Sequence, residues 1–409
     1  MLYYELKKVF TKKGSQVALV LVGILLVTAV FLAVKGVSWT EEDGTTHLEG
    51  YQAAKKLKEA GEAWYGPLTE EKLSAVIAEN TRVNETPQGQ SQDVTQSNIA
   101  YSWKQGFREI REMLNRSFGE FRSYDYYTAD ALKPADAACF YSNRIKNLET
   151  WLASDEEKDR FSEAEKQFLI SRYQELETPF EYQYAEGWKQ LFEYAPTVVM
   201  ILMLILGFLV AGIFSGEFQT KADALFFSSM HGRGKASRAK VEAGFLIVTM
   251  LYWAVFLLYS LGVLGILGFE GADCPIQISG AGWKSFYNIT FWEEYILIAV
   301  GGYIGCVFMA ALTMLVSAKT KSSVLAVIVP FVLIFGPSMI SFSRSVVVEK
   351  ILGLFPDWLL RLNQCVGMFY LYSVGGKQVG AIPILLVLYG VLAVLLQPLL
   401  YRVYRRQAR

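Results

Sequence analysis

The residues best suited to chemistry lie at Gly232-Arg233-Gly234-Lys235-Ala236, where two glycines alternate with two cations. A phosphate-cradling loop needs G-x-x-x-x-G-K-[ST] after a strand, so that backbone N–H groups hold the phosphates and a hydroxyl holds magnesium. Here Ala236 stands where the hydroxyl is needed and no strand pattern precedes it, so the segment reads as a flexible basic turn. The two histidines, His47 and His231, fall in separate polar stretches and cannot join one triad or metal site. Cys139, Cys274, Cys306 and Cys365 show no C-x-x-C or Cys/His spacing. Cys306 sits in an apolar run and reads as a small packing residue. One disulfide among Cys139, Cys274 and Cys365 stays open. No catalytic residue, metal ligand set or cofactor is expected in this chain.

The elements around these residues are apolar. Of 409 residues, 53% are hydrophobic and 19% charged, and the apolar ones gather into blocks rather than spreading at core spacing. Six blocks reach bilayer length: 17–34, 196–215, 243–268, 295–317, 324–342 and 381–401. None contains Asp, Glu, Lys, Arg or His. Six such blocks in one chain predict six transmembrane helices. The first is longer than a signal-peptide core and no small-x-small site follows before Lys35, so it reads as an uncleaved span. A formal charge of zero gives no reason to expect nucleic acid.

Lys and Arg set the orientation. Residues 1–15, 216–240, 318–323 and 402–409 hold 15 basic residues in 54 positions; the opposite short connections, 269–294 and 344–380, hold 5 in 63. The bias puts both termini and residues 216–240 in the cytoplasm and residues 36–195 outside. Leu2, Leu6, Val9 and Phe10 fall on one helical face beside Lys7, Lys8, Lys12 and Lys13, the pattern of an interfacial helix. Residues 1–35 therefore read as interfacial helix plus first span, 36–195 as an extracellular helical domain, and 196–409 as the remaining spans.

Within 36–195, Thr69 caps one helix and Ser162 with Glu165 has capping-box spacing for another. Ile99, Trp103, Phe107, Ile110, Leu114 and Phe118 step at helical intervals, residues 84–98 read as loop, and no alternating strand pattern competes. Most aromatics there read as packing residues. Trp188 and Tyr194 before the second span, and Trp283, Tyr287, Phe291 and Trp292 before the fourth, read as interface belts. Glu293 and Glu294 follow at the outer rim of the fourth span. Pro330 and Gly336-Pro337 predict a kink in the fifth span. Residues 343–380, with apolar runs too short to cross, predict a re-entrant helical hairpin.

The stretch GEFQTKADALFFSSMHGRGKASRAK, residues 216–240, organises these elements. A bare connector has no use for Leu225, Phe226 and Phe227, and a short cytoplasmic helix exposing them would dock another protein. The spans lack the ionisable residues that ion-coupled transport requires, so any driving force must enter from outside the bundle.

On these residues the chain resembles the permease subunit of ABC-2 type transporters of the kind found in Firmicutes. The shared features are the interfacial helix before span one, the large insertion after it, the acidic-then-hydrophobic-then-basic loop after span two, and the re-entrant segment between spans five and six. The resemblance implies that Glu217, Lys221, Asp223, Leu225, Phe226, Phe227 and Arg238 contact a separate ATPase subunit. That subunit, a homodimer, would carry ATP and magnesium. It also implies a second permease half, identical or paralogous, in a bacterial plasma membrane, and export as the direction of transport. The substrate is not implied. A membrane-anchored peptide sensor or scaffold, using the aromatic outer domain, is the alternative; an intramembrane enzyme fits poorly with spans bare of Asp, Glu, Lys, Arg and His.

Overall fold

The computed structural model describes residues 1–340 and 345–406. The chain is mostly helical, and among the described residues five helices are long and apolar enough to cross a bilayer: Lys13–Lys35, Glu186–Gln219, Gly232–Leu267, Phe291–Thr320 and Ala381–Arg406. In chain order, α1 (Leu2–Phe10) leads into α2 (Lys13–Lys35). A ribbon of β1 (Ser38–Thr40) and β2 (His47–Glu49) opens the polar region. It continues through α3 (Tyr51–Gly61), α4 (Glu70–Asn84), α5 (Val94–Lys104), α6 (Arg108–Phe118), α7 (Phe140–Leu152) and α8 (Glu163–Gln174), with β3 (Gly66–Pro67) paired to β4 (Glu181–Tyr182). The bundle follows as α9 (Glu186–Gln219), α10 (Asp223–Ser228), α11 (Ser237–Leu267), α12 (Phe291–Thr320) and α13 (Ser323–Ile340). Beyond residue 344 come α14 (Val346–Leu352), a 3-10 turn (Pro356–Leu360), α15 (Leu362–Val366), the hairpin β5 (Leu371–Val374) and β6 (Lys377–Gly380), and α16 (Ala381–Arg406).

Burial ranks the long helices. The apolar windows of α9 and α12 are 61% and 67% buried, against 22% for α2 and α16, so α9 and α12 form the centre and the others surround them. The outer helices expose continuous apolar faces, such as Val20, Ile24, Val27 and Phe31 on α2 and Val387, Val391, Val394 and Leu395 on α16. Such faces are costly in water, at about 25 cal/mol per Å², and suit lipid. At 34 residues, α9 is roughly 50 Å long, so it passes through a hydrocarbon core with turns to spare at each end.

Several expectations change. The helix α9 starts at Glu186, inside the stretch read as the end of the polar domain. The fifth apolar block is helical over Ser323–Ile340 and runs through Pro330 and Pro337; its last residues, 341 and 342, lie outside the described residues, as do the first two of segment 343–380. The periodic run from Ile99 to Phe118 breaks into α5 and α6 at Gln105–Phe107. Gln105 is buried there and pairs both ways with Thr40, accepting from its N–H at 2.9 Å and donating to its carbonyl at 2.8 Å. A Cβ on Gly106 would come 2.3 Å from the Ala60 carbonyl, so the break lets α3 close against this turn.

The aromatic belts are corrected at Trp188, Trp283 and Phe291, which are buried, whereas Trp292 stays exposed. Trp188 is 1% exposed, and its indole N–H donates to the carbonyls of Phe269 and Glu270. Trp283 is buried against Phe140 and Phe180 of the polar domain. Arg144, buried on α7, donates to the Trp283 carbonyl at 3.2 Å and the Ser285 carbonyl at 3.2 Å, so the 269–290 loop docks the polar domain onto the bundle. Ion pairs Arg160–Glu349 (2.7 Å) and Lys350–Glu165 (2.6 Å) clip α8 and its approach to α14. The capping box at Ser162 and the Thr69 cap form as the sequence predicts. All four cysteines are free, Cys139 exposed and the other three buried.

Candidate functional site

The stretch 216–240 folds as a tight, mostly helical reversal. Helix α9 runs to Gln219, and the chain turns at Lys221, whose φ of 56° is left-handed. Helix α10 follows, and Gly232–Ala236 then wind as a π-helical turn into α11. The basic glycine segment is thus helical rather than a flexible turn. Ser237 is fully buried and its hydroxyl donates to the Gly232 carbonyl at 2.7 Å, fixing the turn from inside. Gly232 is required by space: a Cβ there would lie 1.8 Å from the Phe226 carbonyl.

Beneath this reversal the structure buries a charge cluster. Lys240, the first-turn lysine of α11, has no exposed surface. Its three N–H donors go to Glu217 at 2.8 Å, to Glu5 at 3.1 Å and to the Ile213 carbonyl at 2.8 Å, which exhausts an ammonium's capacity. Glu217 near the end of α9 is 5% exposed and also accepts from Lys8 at 2.5 Å and from the Tyr404 hydroxyl at 3.3 Å. The cluster therefore ties α1, α9, α11 and α16 together at one end of the bundle. Lys12 stands at its edge, where burial and then the neighbouring Lys8 push its ammonium below the usual lysine range. Charges held this far from water are stable only with their partners in place.

An aromatic cap joins the cluster to α10. Tyr404, fully buried, packs edge-on to Phe214 at 4.8 Å and lies 5.2 Å from Phe227 and 5.9 Å from Phe226. The Lys240 ammonium is 5.4 Å from the Phe226 ring centre, within cation–π reach.

The sequence-predicted residues therefore divide. Leu225 is 77% exposed on the outer side of α10, with Met230, at 91%, just beyond it. Phe227 is buried and Phe226 half-buried, so the expected three-residue exposed patch shrinks to Leu225, because the two rings satisfy the Tyr404 cap instead. Glu217 faces into the bundle as the hub of the cluster. Lys221 and Arg238 are exposed, Arg238 pairing with Glu242 at 2.8 Å, and Asp223 opens α10 half-buried. The face that remains open carries Lys221, Leu225, Met230, Lys235 and Arg238. Sequence reasoning missed Glu5, Lys8, Lys240 and Tyr404 as members of one site. The local signal was slight, an i, i+3 pair Glu5/Lys8 beside the Leu2, Leu6, Val9 and Phe10 face of α1, because its partners Glu217, Lys240 and Tyr404 are distant in sequence.

A search of known family models and of curated proteins returns no match for this chain.

Proposed function

We propose that the chain is the membrane-spanning permease subunit of an ATP-driven transporter of the ABC-2 type, an exporter, moved by a separate ATPase subunit that presses on α10. The observation that carries this reading is the seating of α10. Its outer face offers Leu225 among exposed cations, while its inner face rests through Phe226 and Phe227 on Tyr404 and Lys240. A push on Leu225 is thus delivered to a buried cluster that holds four helices at once. Apolar blocks without an ionisable side chain support a drive applied from the end of the bundle.

In this reading α13 is a sixth span, residues 343–380 form the re-entrant segment, and residues 36–195 stand outside the cell. Residues 1–15, 216–240 and 402–409 face the cytoplasm. Two such permease halves would sit on two ATPase copies that carry ATP and magnesium.

The test is purification of the chain from its native membranes in mild detergent, with nucleotide hydrolysis measured on the eluate. The expected result is a co-purifying ATP-binding subunit with vanadate-sensitive turnover, lost in Leu225→Asp and absent from the chain alone. Hydrolysis by the isolated chain, or labelling of Lys235→Cys by an impermeant maleimide from outside the cell, overturns it.

A further inference from the structure

At the other end of the bundle, a cavity of about 330 Å³ opens between the polar domain and the helices. Five carboxylates line it: Glu109 and Glu112 of α6, Glu186 and Glu193 of α9, and Glu294 of α12. Three are matched within the chain. Glu109 pairs with Lys189 at 2.7 Å and Arg108 at 3.0 Å, Glu186 is shared by the same two cations, and Glu112 pairs with Arg116 at 2.9 Å. Lys189, the cation that lines the cavity, is shared between Glu109 and Glu186.

Glu294 is different. It is 7% exposed, and among the described residues its carboxyl has neither an ion-pair nor a hydrogen-bond partner. Its neighbour Glu293 performs the capping of α12, accepting from the Thr290 N–H at 2.9 Å, so Glu294 is free of that duty. A second acceptor among the cavity's lining residues is also unmatched. The Asn363 side-chain oxygen is buried without a partner, while its amide nitrogen is anchored on the Phe192 carbonyl at 2.8 Å. Phe192 and Phe291 stack at 6.1 Å and supply an apolar wall. The exposed carboxylate of Glu193 stands among the cavity's lining residues.

We infer that this cavity binds a primary ammonium or guanidinium group carried on an apolar residue or ligand, with Glu294 as its carboxylate partner and Asn363 as a second acceptor. Among the described residues the Glu294 carboxyl, in a residue 7% exposed, and the buried Asn363 oxygen both lack a protein donor, and an ammonium has three donors while a guanidinium has five. The stacked rings give an apolar wall that suits the carbon next to the cation. Among the described residues no group of three or more His, Cys, Asp or Glu is arranged to hold a metal ion, which favours an organic cation over a metal. Calling the ligand a transported substrate rests on the permease reading above; the binding site itself does not.

The test uses the whole chain in lipid nanodiscs, without nucleotide or partner subunit. Benzylammonium and benzylguanidinium are titrated by calorimetry, with benzyl alcohol as the uncharged control. The expected result is one saturable site per chain for both cations and none for the alcohol, weakened at least tenfold by Glu294→Gln and several-fold by Asn363→Leu. Equal binding of the alcohol by the unaltered chain, equal affinity in Glu294→Gln, absence of saturable binding, or displacement of the amine by micromolar calcium each overturns it. Loss of this binding leaves the α10 proposal standing, and unchanged ATP turnover in Leu225→Asp leaves this one standing.

Discussion

Lys240→Met is the perturbation that most directly probes the cluster under α10. Methionine keeps the length of the side chain and removes the charge. The change deletes bonds of 2.8 Å to Glu217, 3.1 Å to Glu5 and 2.8 Å to the Ile213 carbonyl. The three acceptors do not suffer equally. Glu5, with 16% of its side chain exposed, can turn toward water, and the Ile213 carbonyl is a helix acceptor in any case. Glu217, with 6% of its side chain exposed, keeps Lys8 and the Tyr404 hydroxyl. Breaking a buried pair costs about 3–5 kcal/mol, and the retained partners put Lys240→Met at the low end, about 3 kcal/mol. Glu217→Gln is worse, because it leaves a fully buried ammonium with Glu5 as its one remaining carboxylate.

The double variant removes both charges. It costs less than the sum of the two single changes by about 2 kcal/mol, since neither variant then strands the other's partner. Thermal unfolding of the four proteins in one detergent checks this. At about 2 °C per kcal/mol, Lys240→Met lowers the midpoint by roughly 6 °C, and the double variant lies above the additive expectation by roughly 4 °C. Strict additivity, or a Lys240→Met protein that melts with the unaltered one, refutes the cluster as a coupled latch.

Gly232→Ala drives a Cβ into the Phe226 carbonyl at 1.8 Å; it is expected to lift α10 and raise protease cleavage between residues 220 and 236, with the polar domain unchanged. Arg144→Ala leaves the Trp283 carbonyl unpaired in a buried loop and the Ser285 carbonyl with Gln277 alone, at a cost of about 2 kcal/mol, seen as faster hydrogen exchange over residues 276–290. Leu225→Asp places a charge on the exposed face of α10 and is expected to leave the melting midpoint within about 1 °C, a surface-change magnitude, while abolishing ATPase association. The pH dependence follows from Glu109. Burial alone would raise its carboxyl, but Lys189 and then Arg108 outweigh it and hold it down at about 2, below the usual value of about 4.3. A depressed folded value means that its stabilisation is full above about 4.3 and is lost as pH falls toward 2. Tryptophan fluorescence should report loosening of the polar domain in that window, and Glu109→Gln should shrink the change without removing it, since Asp43, Glu79, Asp130 and Glu165 are also held below their usual values.

The long helices were legible because lipid-facing and core-facing positions are both apolar, so a run of about 20 uncharged residues announces a span wherever it packs. The caps at Thr69 and Ser162 were legible because their partners lie three residues away. The contacts that position the two candidate sites were not, and the reason is the same at both ends. Glu217 and Lys240 fall just past the apolar blocks at one end, and Glu186, Lys189 and Glu294 just outside them at the other. Block counting stops where a charge begins and assigns these residues to flanks, whereas α9, α11 and α12 continue as helices and carry them into protein interior. Trp188 and Trp283 fail in the same way, since a belt aromatic and a docking aromatic have identical local sequence and differ only in what packs against them, the Phe269 and Glu270 carbonyls for Trp188 and the rings of Phe140 and Phe180 for Trp283. The apolar blocks therefore bound where charge is absent along the bundle, and it is the one to three helical turns beyond each block that decide what charge the bundle holds. At one end those turns meet α1 and α16 and close into a matched cluster; at the other they meet α6 and α15 and leave Glu294 unmatched.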